Sequence, residues 1–162
     1  MIKFEDTAIV FREVPDEITL AINLTNCPHH CKGGHSPHLW EDRGLILTAD
    51  GIDTILEGAA MVPVTCVAFM GGDNDPDTLF EINREFKRRH PNMKTCWYTG
   101  YSYEDHKFLR WSHRLTEFDY VKMGRYKEEL GPIDKEGSNQ VMFKTTSKVS
   151  MENITERFRK HI

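Results

Sequence analysis

Apolar strand-like runs that alternate with helix-patterned segments predict an α/β domain on a mainly parallel sheet. Three observations carry this: five such runs, helical spacing between them, and glycine- or cysteine-bearing turns directly after successive runs. A chain of 162 residues is enough for one domain, which at that size buries roughly two-thirds of its unfolded surface. No repeat, low-complexity tract or linker divides it, so residues 1–162 read as a single compact domain.

Each element has its own signal. A short N-terminal strand or hairpin (residues 2–11) precedes "EITLAINL", where Ile18, Leu20, Ile22 and Leu24 share one face. Ala21 on the other face marks a strand covered on both sides. "ADGIDTILEGAA" places Ile52, Ile55 and Leu56 at helical spacing. "VPVTCVAF" is the next strand and ends in "MGGDNDP"; Pro76 then opens a helix with Leu79, Ile82 and Phe86 inward. "KTCWY" is a third strand running into "TGYS", with Ser102 and Asp105 placed to cap a helix that carries Phe108, Leu109 and Leu115. "DYVKM" and "NQVMFKT" give two more strands, and Ser150 is placed to cap a last helix with Ile154 and Phe158 inward.

Right-handed βαβ units follow from this order. In such sheets ligands gather at the C-terminal strand ends. Here those ends lead into Cys27/Cys31, Gly71-Gly72-Asp73, Thr99-Gly100 and Gly124-Arg125, so all four turns are expected on one rim.

Composition narrows the function. Hydrophobic residues at 39% and charged residues at 28% are ordinary for a soluble globular chain. With 21 Lys+Arg against 25 Asp+Glu, the formal charge of −4 offers no blanket basic surface, and no nucleic-acid partner is expected. "REFKRRH" (residues 84–90) reads as a solvated helix face. The longest apolar stretch, "AAMVPVTCVAFM", is broken by Pro63 and too short for a bilayer, so no membrane association is expected either. Residues 1–17 lack the apolar core of a secretory signal, and a reducing, cytoplasmic location is the expectation. In that compartment four cysteines point to metal or core roles rather than disulfides; Cys66 and Cys96, in apolar strands, read as inert buried thiols.

The chemistry-bearing stretch is "NCPHHCKGGHSPHLW" (residues 26–40). Its C-x3-C spacing can place Cys27 and Cys31 on one metal centre, and thiolates suit iron–sulfur clusters. Taken alone the spacing fits two ordinary loop cysteines equally well. Zinc is a further option, with His29, His30, His35 or His38 completing a Cys2His2 set. Gly71-Gly72 permits close approach of a ligand to the backbone, and Asp73 is an acceptor suited to an ammonium group. Trp40, Trp97 and Tyr98 read first as core or rim packing.

In order and spacing, "CPHHCKG", "HSPHLW", "FMGGD", "WYTGYSYED", "VKMGRYKEEL" and "GSNQ" resemble the radical S-adenosylmethionine activating proteins of anaerobic ribonucleoside-triphosphate reductase. The resemblance spans residues 17–143 and implies a partial (β/α) barrel of the radical S-adenosylmethionine type. It also implies a [4Fe-4S] cluster that binds and reductively cleaves S-adenosylmethionine to a 5′-deoxyadenosyl radical, which forms a glycyl radical on the reductase. The implied partners are that reductase and a one-electron donor such as a reduced flavodoxin. On matching positions, Cys27 and Cys31 are implied as metal ligands. Gly33, Gly34 and His35 would lie against the cofactor, Gly71, Gly72 and Asp73 would receive its amino group, and Thr99 and Gly100 would complete its site. Residues 137–140 ("GSNQ") are a further candidate lining.

One departure stands out. The resemblance places a third cluster cysteine at position 34, and Gly34 has no side chain. Three accounts stay open: a Cys→Gly change in an otherwise intact motif, which is preferred; a histidine ligand from His29, His30 or His35; or a cluster-less protein that binds S-adenosylmethionine or zinc and docks on the reductase without radical chemistry.

Overall fold

The computed structural model describes residues 1–33 and 37–159. The chain runs β1 (Lys3–Val10), β2 (Thr19–Leu24), β3 (Leu45–Ile46), α1 (Ala49–Gly58), β4 (Cys66–Met70), α2 (Pro76–Arg89), β5 (Lys94–Tyr98), α3 (Leu109–Ser112), β6 (Tyr120–Met123), β7 (Val141–Ser147) and β8 (Ser150–Asn153). One sheet holds all eight strands in the order β3-β1-β2-β4-β5-β6-β7-β8. Strands β2, β4, β5 and β6 pair in parallel. Pairing is antiparallel for β1 with β2 and β3, and for β7 with β6 and β8. The sheet is therefore mixed rather than mainly parallel. The connections from β1 to β2, β6 to β7 and β7 to β8 carry no crossover helix, and such connections return the chain antiparallel.

Among the four parallel strands, spatial order follows chain order. Every crossover thus steps the same way, and crossovers of one hand then place their helices on one face. Ile52 of α1 and Leu79, Phe80, Ile82 and Phe86 of α2 accordingly share a core with Leu20, Ile22, Val67, Phe69, Trp97 and Val121. Alternate residues of the same strands, Cys66, Ala68, Cys96 and Tyr120, build a second core with Val14, Ile133 and Met142. This is the period-two alternation of a strand covered on both faces. Loops cover the second face, where helices cover the first.

Both long helices start as their sequences dictate. The Thr48 hydroxyl accepts the Gly51 N–H at 3.0 Å, and the Asp75 carboxylate accepts the Thr78 N–H at 3.3 Å ahead of Pro76. Lys87, Arg88 and Arg89 end α2, where positive charge complements the helix dipole.

Two expected helices are not formed as such. After β5 the chain makes a 3-10 turn (His106–Phe108), the one-turn α3 and a second 3-10 turn (Leu115–Glu117). Ser102 does not cap them: its N–H and hydroxyl both donate to Asp105 Oδ2, at 2.9 and 3.4 Å, which closes a turn instead. Phe108 and Leu115 are buried, but Leu109 is exposed. Ser150 opens β8 rather than a helix, because its segment pairs with β7. Among the described residues a 3-10 turn (Thr155–Phe158) follows in place of a helix, with the Asn153 side chain accepting the Thr155 N–H at 3.0 Å. Ile154 and Phe158 still pack on the second core. Among the described residues no helix is long and apolar enough to cross a membrane.

Phe80 is fully buried, with its ring edge-on to Trp97 at 5.4 Å and to Phe118 at 5.1 Å. Phe80→Ala is expected to lower the unfolding free energy by about 3–5 kcal/mol in a urea titration. Met61→Ala, at a side chain 98% exposed, is expected to stay within about 0.5 kcal/mol of the unmodified chain.

Candidate functional site

Because β2, β4, β5 and β6 run parallel, their C-terminal ends lie on one side of the sheet. The four loops that leave them surround a single cavity of about 290 Å³. Cys27 and Cys31 line it from the first loop, Gly71 and Asp73 from the second, Thr99 and Gly100 from the third, and Gly124 with Arg125 from the fourth.

Asp73 is the best-defined group there, with a side chain only 2% exposed. Its Oδ1 accepts the Thr99 hydroxyl at 2.6 Å. Its Oδ2 accepts the Gly100 N–H at 2.7 Å and faces His29 Nε2 at 2.6 Å. A carboxylate buried to this degree is tenable only when its lone pairs are met. A carboxylate has about four acceptor positions, and three donors are in place, so Oδ1 keeps room for one more.

The glycine pair shapes the turn that carries Asp73. Gly71 and Gly72 have φ of 120° and 96°, values that side-chain-bearing residues rarely adopt. A Cβ on Gly72 would also stand 2.8 Å from Leu79 Cδ2. Gly71 remains at the cavity, its carbonyl accepting the Trp97 indole N–H at 2.8 Å, while Gly72 turns onto Leu79.

The cysteine loop is clasped at its base. Asn26 N–H donates to the Glu41 carbonyl at 2.9 Å and Cys27 N–H to the Leu39 carbonyl at 3.1 Å. Within the loop, the His29 ring is 5% exposed and stands edge-on to Tyr101 at 4.8 Å. His30 stacks on Trp40 at 4.8 Å with an interplanar angle of 11°, and His38 Nε2 lies 3.6 Å from Glu5. These histidines have partners other than a metal. Among the described residues, no group of three or more His, Cys, Asp or Glu side chains is arranged to hold one. Gly34 and His35 lie outside the described residues, and Gly33 sits against the Glu128 side chain.

Cys27 and Cys31 are partly exposed, free thiols. Burial raises the Cys27 pKa, and hydrogen bonds from the backbone N–H groups of His29 and His30 oppose that rise. Such donors stabilise a thiolate and suit a metal-bound sulfur. Two corners of an iron–sulfur cluster therefore have fitting ligands. Among the described residues the set stops there, and Gly34 has no side chain to extend it. Cys66 and Cys96 are fully buried in the second core, where burial pushes both thiols far up, and they serve as packing.

Lys122 was not singled out by sequence reasoning. It lines the cavity from β6, with Nζ 4.5 Å from the centre of the Tyr98 ring. Burial drives its pKa down to about 8, an effect the carboxylates of Glu13 and Asp134 offset only in part. The available signal was a lysine inside the apolar strand "DYVKM". Tyr98 and Trp40 line the cavity too, while Trp97 belongs to the helix-side core. From the "GSNQ" segment, Gln140 reaches the wall, and its side-chain amide donates to the Gly124 carbonyl at 3.2 Å.

Comparison with protein families matches residues 18–143 to the 4Fe-4S single cluster domain. No curated protein and no solved structure matches the chain.

The lowered pKa of Lys122 has a pH signature. The folded chain gives up this proton near pH 8, the unfolded chain near 10.5. Between those values the unfolded state binds more protons, so the contribution of this group to stability rises with pH. Below pH 8 the partly buried charge is a standing penalty. Lys122→Met is expected to remove that rise and to raise the melting temperature at pH 7, checked by thermal unfolding from pH 7 to 10.5.

Proposed function

We infer the function from family membership: the chain belongs to the 4Fe-4S single cluster domain family, and its site reads best as that of a radical S-adenosylmethionine activating protein. On this reading it activates an anaerobic ribonucleoside-triphosphate reductase by introducing a glycyl radical, with an external one-electron donor such as a reduced flavodoxin, in the cytoplasm. The observation that carries the reading is the convergence of four successive strand-end loops on one cavity holding a buried carboxylate, Asp73, and a partly buried amine, Lys122. A pair of opposite charges of this kind suits the zwitterionic methionyl end of S-adenosylmethionine. Asp73 Oδ1 has room for an ammonium proton, and the Lys122 ammonium can meet a carboxylate.

The one-sided winding of the four parallel strands supports the partial (β/α) barrel, here a reduced version flanked by antiparallel strands. Doubly wound sheets reverse their strand order and carry helices on both faces. The rim that bears the cavity is the surface on which the reductase would dock.

When bound, a [4Fe-4S] cluster with S-adenosylmethionine supplies one-electron reductive chemistry. Cys27 and Cys31 would hold two of its corners. Gly34 leaves the protein ligand set one thiolate short, so the described residues do not complete that group, and the contribution of this chain's own residues is to bind and orient the ligand and to exclude water. We read Gly34 as a Cys→Gly change in a site otherwise built for the cluster.

A second reading has its own support. The missing thiolate, together with the engagement of His29 and His30 elsewhere, fits a cluster-less protein that binds S-adenosylmethionine or zinc and docks on the reductase. Anaerobic reconstitution with iron and sulfide separates the two readings when the chain and Gly34→Cys are run side by side. The readouts are iron and sulfide content, the reduced-cluster EPR signal and 5′-deoxyadenosine. A cluster and cofactor cleavage in Gly34→Cys, with cluster occupancy at least about tenfold lower in the unmodified chain, is the expected result. If neither protein takes up a cluster, the activase reading is lost and the binding reading replaces it.

A further inference from the structure

Between the two cysteines lies a histidine that the reading above does not use. The His29 ring leaves the cysteine loop, crosses the rim and ends 2.6 Å from Asp73 Oδ2. It is 5% exposed and stands edge-on to Tyr101. Its path runs directly over Gly100, where a Cβ would lie 2.5 Å from His29 Cδ2 and 2.8 Å from Nε2. Gly100 is not among the residues of positive φ. Its backbone therefore does not call for glycine, and the need is clearance for the ring alone. Two positions distant in the chain, 29 and 100, are thus fitted to each other.

The loop has few other fixings. Its base is clasped at Asn26 and Cys27, and the stretch between the two thiols is held by His29 on Asp73 and His30 on Trp40. Of these two contacts, only that of His29 reaches another rim loop bearing a ligand-receiving group.

We propose that His29 is a positioning residue: it fixes the Cys27–Cys31 loop to the carboxylate of Asp73, and so links the placement of the two thiols to the group that receives a ligand's ammonium. The first half stands on the contacts alone; the second rests on the S-adenosylmethionine reading of the cavity. An ammonium arriving at the open position on Asp73 Oδ1 draws on the same carboxylate charge that holds His29 at Oδ2 and weakens that contact. Ligand occupancy and loop position are then linked, and linkage of this kind is reciprocal.

The test uses the full chain without metal and measures iodoacetamide alkylation of Cys27 and Cys31, site by site, by peptide mass spectrometry. His29→Ala removes the ring and Gly100→Ala displaces it from the other side. Each is expected to speed alkylation of both thiols by about fivefold or more, the scale of one lost hydrogen bond. His29→Gln keeps a donor of similar reach and is expected to restore most of the slow rate. Wild-type rates in His29→Ala, at an unchanged melting temperature, would overturn the proposal. Should Gly100→Ala fold poorly, the contrast between His29→Ala and His29→Gln still decides.

A second arm adds S-adenosylmethionine, with binding followed by equilibrium dialysis. Bound ligand should speed alkylation in the wild type and leave His29→Ala unchanged. Binding that leaves the wild-type rate unaltered, or slows both proteins alike by shielding, sinks the linkage while the cofactor reading survives. Absence of binding to the metal-free chain sinks the linkage, while the reconstitution experiment above still judges the cofactor reading and the ligand-free arm whether His29 positions the loop.

Discussion

Burial of the Asp73 carboxylate is the constraint on which the rim depends. An ionised group taken out of water must recover its lost solvation from fixed donors. Those donors come from two other loops: Thr99 and Gly100 after β5, and His29 between the cysteines. Three of the four strand-end loops are thereby referred to one pair of oxygen atoms. The features around it follow from that demand. Gly71 and Gly72 take backbone angles that set Asp73 down at the cavity. The Thr99 hydroxyl also accepts the Tyr101 N–H at 3.0 Å, which fixes its own direction.

The sheet supplies the stage through strict alternation. Along β4, β5 and β6, one residue faces the helices and the next faces the loop-covered side. Trp97 therefore belongs to the core while its neighbour Tyr98 reaches the cavity, and Val121 is buried among apolar groups while Lys122 lies over the Tyr98 ring. A shift of one residue in either strand would exchange these roles. Register in the centre of the sheet is thus as much a property of the site as of the fold.

Much of this was legible in the sequence, for reasons that can be named. Strands β2, β4, β5 and β6 announce themselves as apolar runs and both long helices by their periodicity, the second also by Pro76 at its start, whereas the two-residue β3 gave no signal. The convergence of Cys27, Asp73, Thr99 and Arg125 follows from parallel topology, because it depends only on which residues follow which strand. What failed was local competition. Ser102 and Ser150 look like helix caps, but Asp105 draws the first into a turn and pairing with β7 claims the segment of the second. Contacts between loops left no trace in any window of sequence. Nothing near residue 29 announces Asp73, and nothing near residue 100 announces an imidazole ring. Lys122 could have been flagged by its strand, and Gly34 was visible as a departure from the motif, because a missing side chain is a fact of sequence.

The loop-covered second core carries a consequence for how the chain folds. The helix-side core is assembled from consecutive strand–helix–strand units, whose contacts are close in sequence. The other side is closed by Val14, Ile133, Ile154 and Phe158, drawn from opposite ends of the chain. Contacts of long sequence separation form late, because the loop that joins them must be closed first. The helical face is therefore expected to consolidate early, with the strands in register but the opposite face still open. The cavity's inner wall, with Tyr98 and Lys122, stays wet until both chain ends arrive. An amine that ends up partly buried thus sheds part of its water late, once the surrounding framework is already in place.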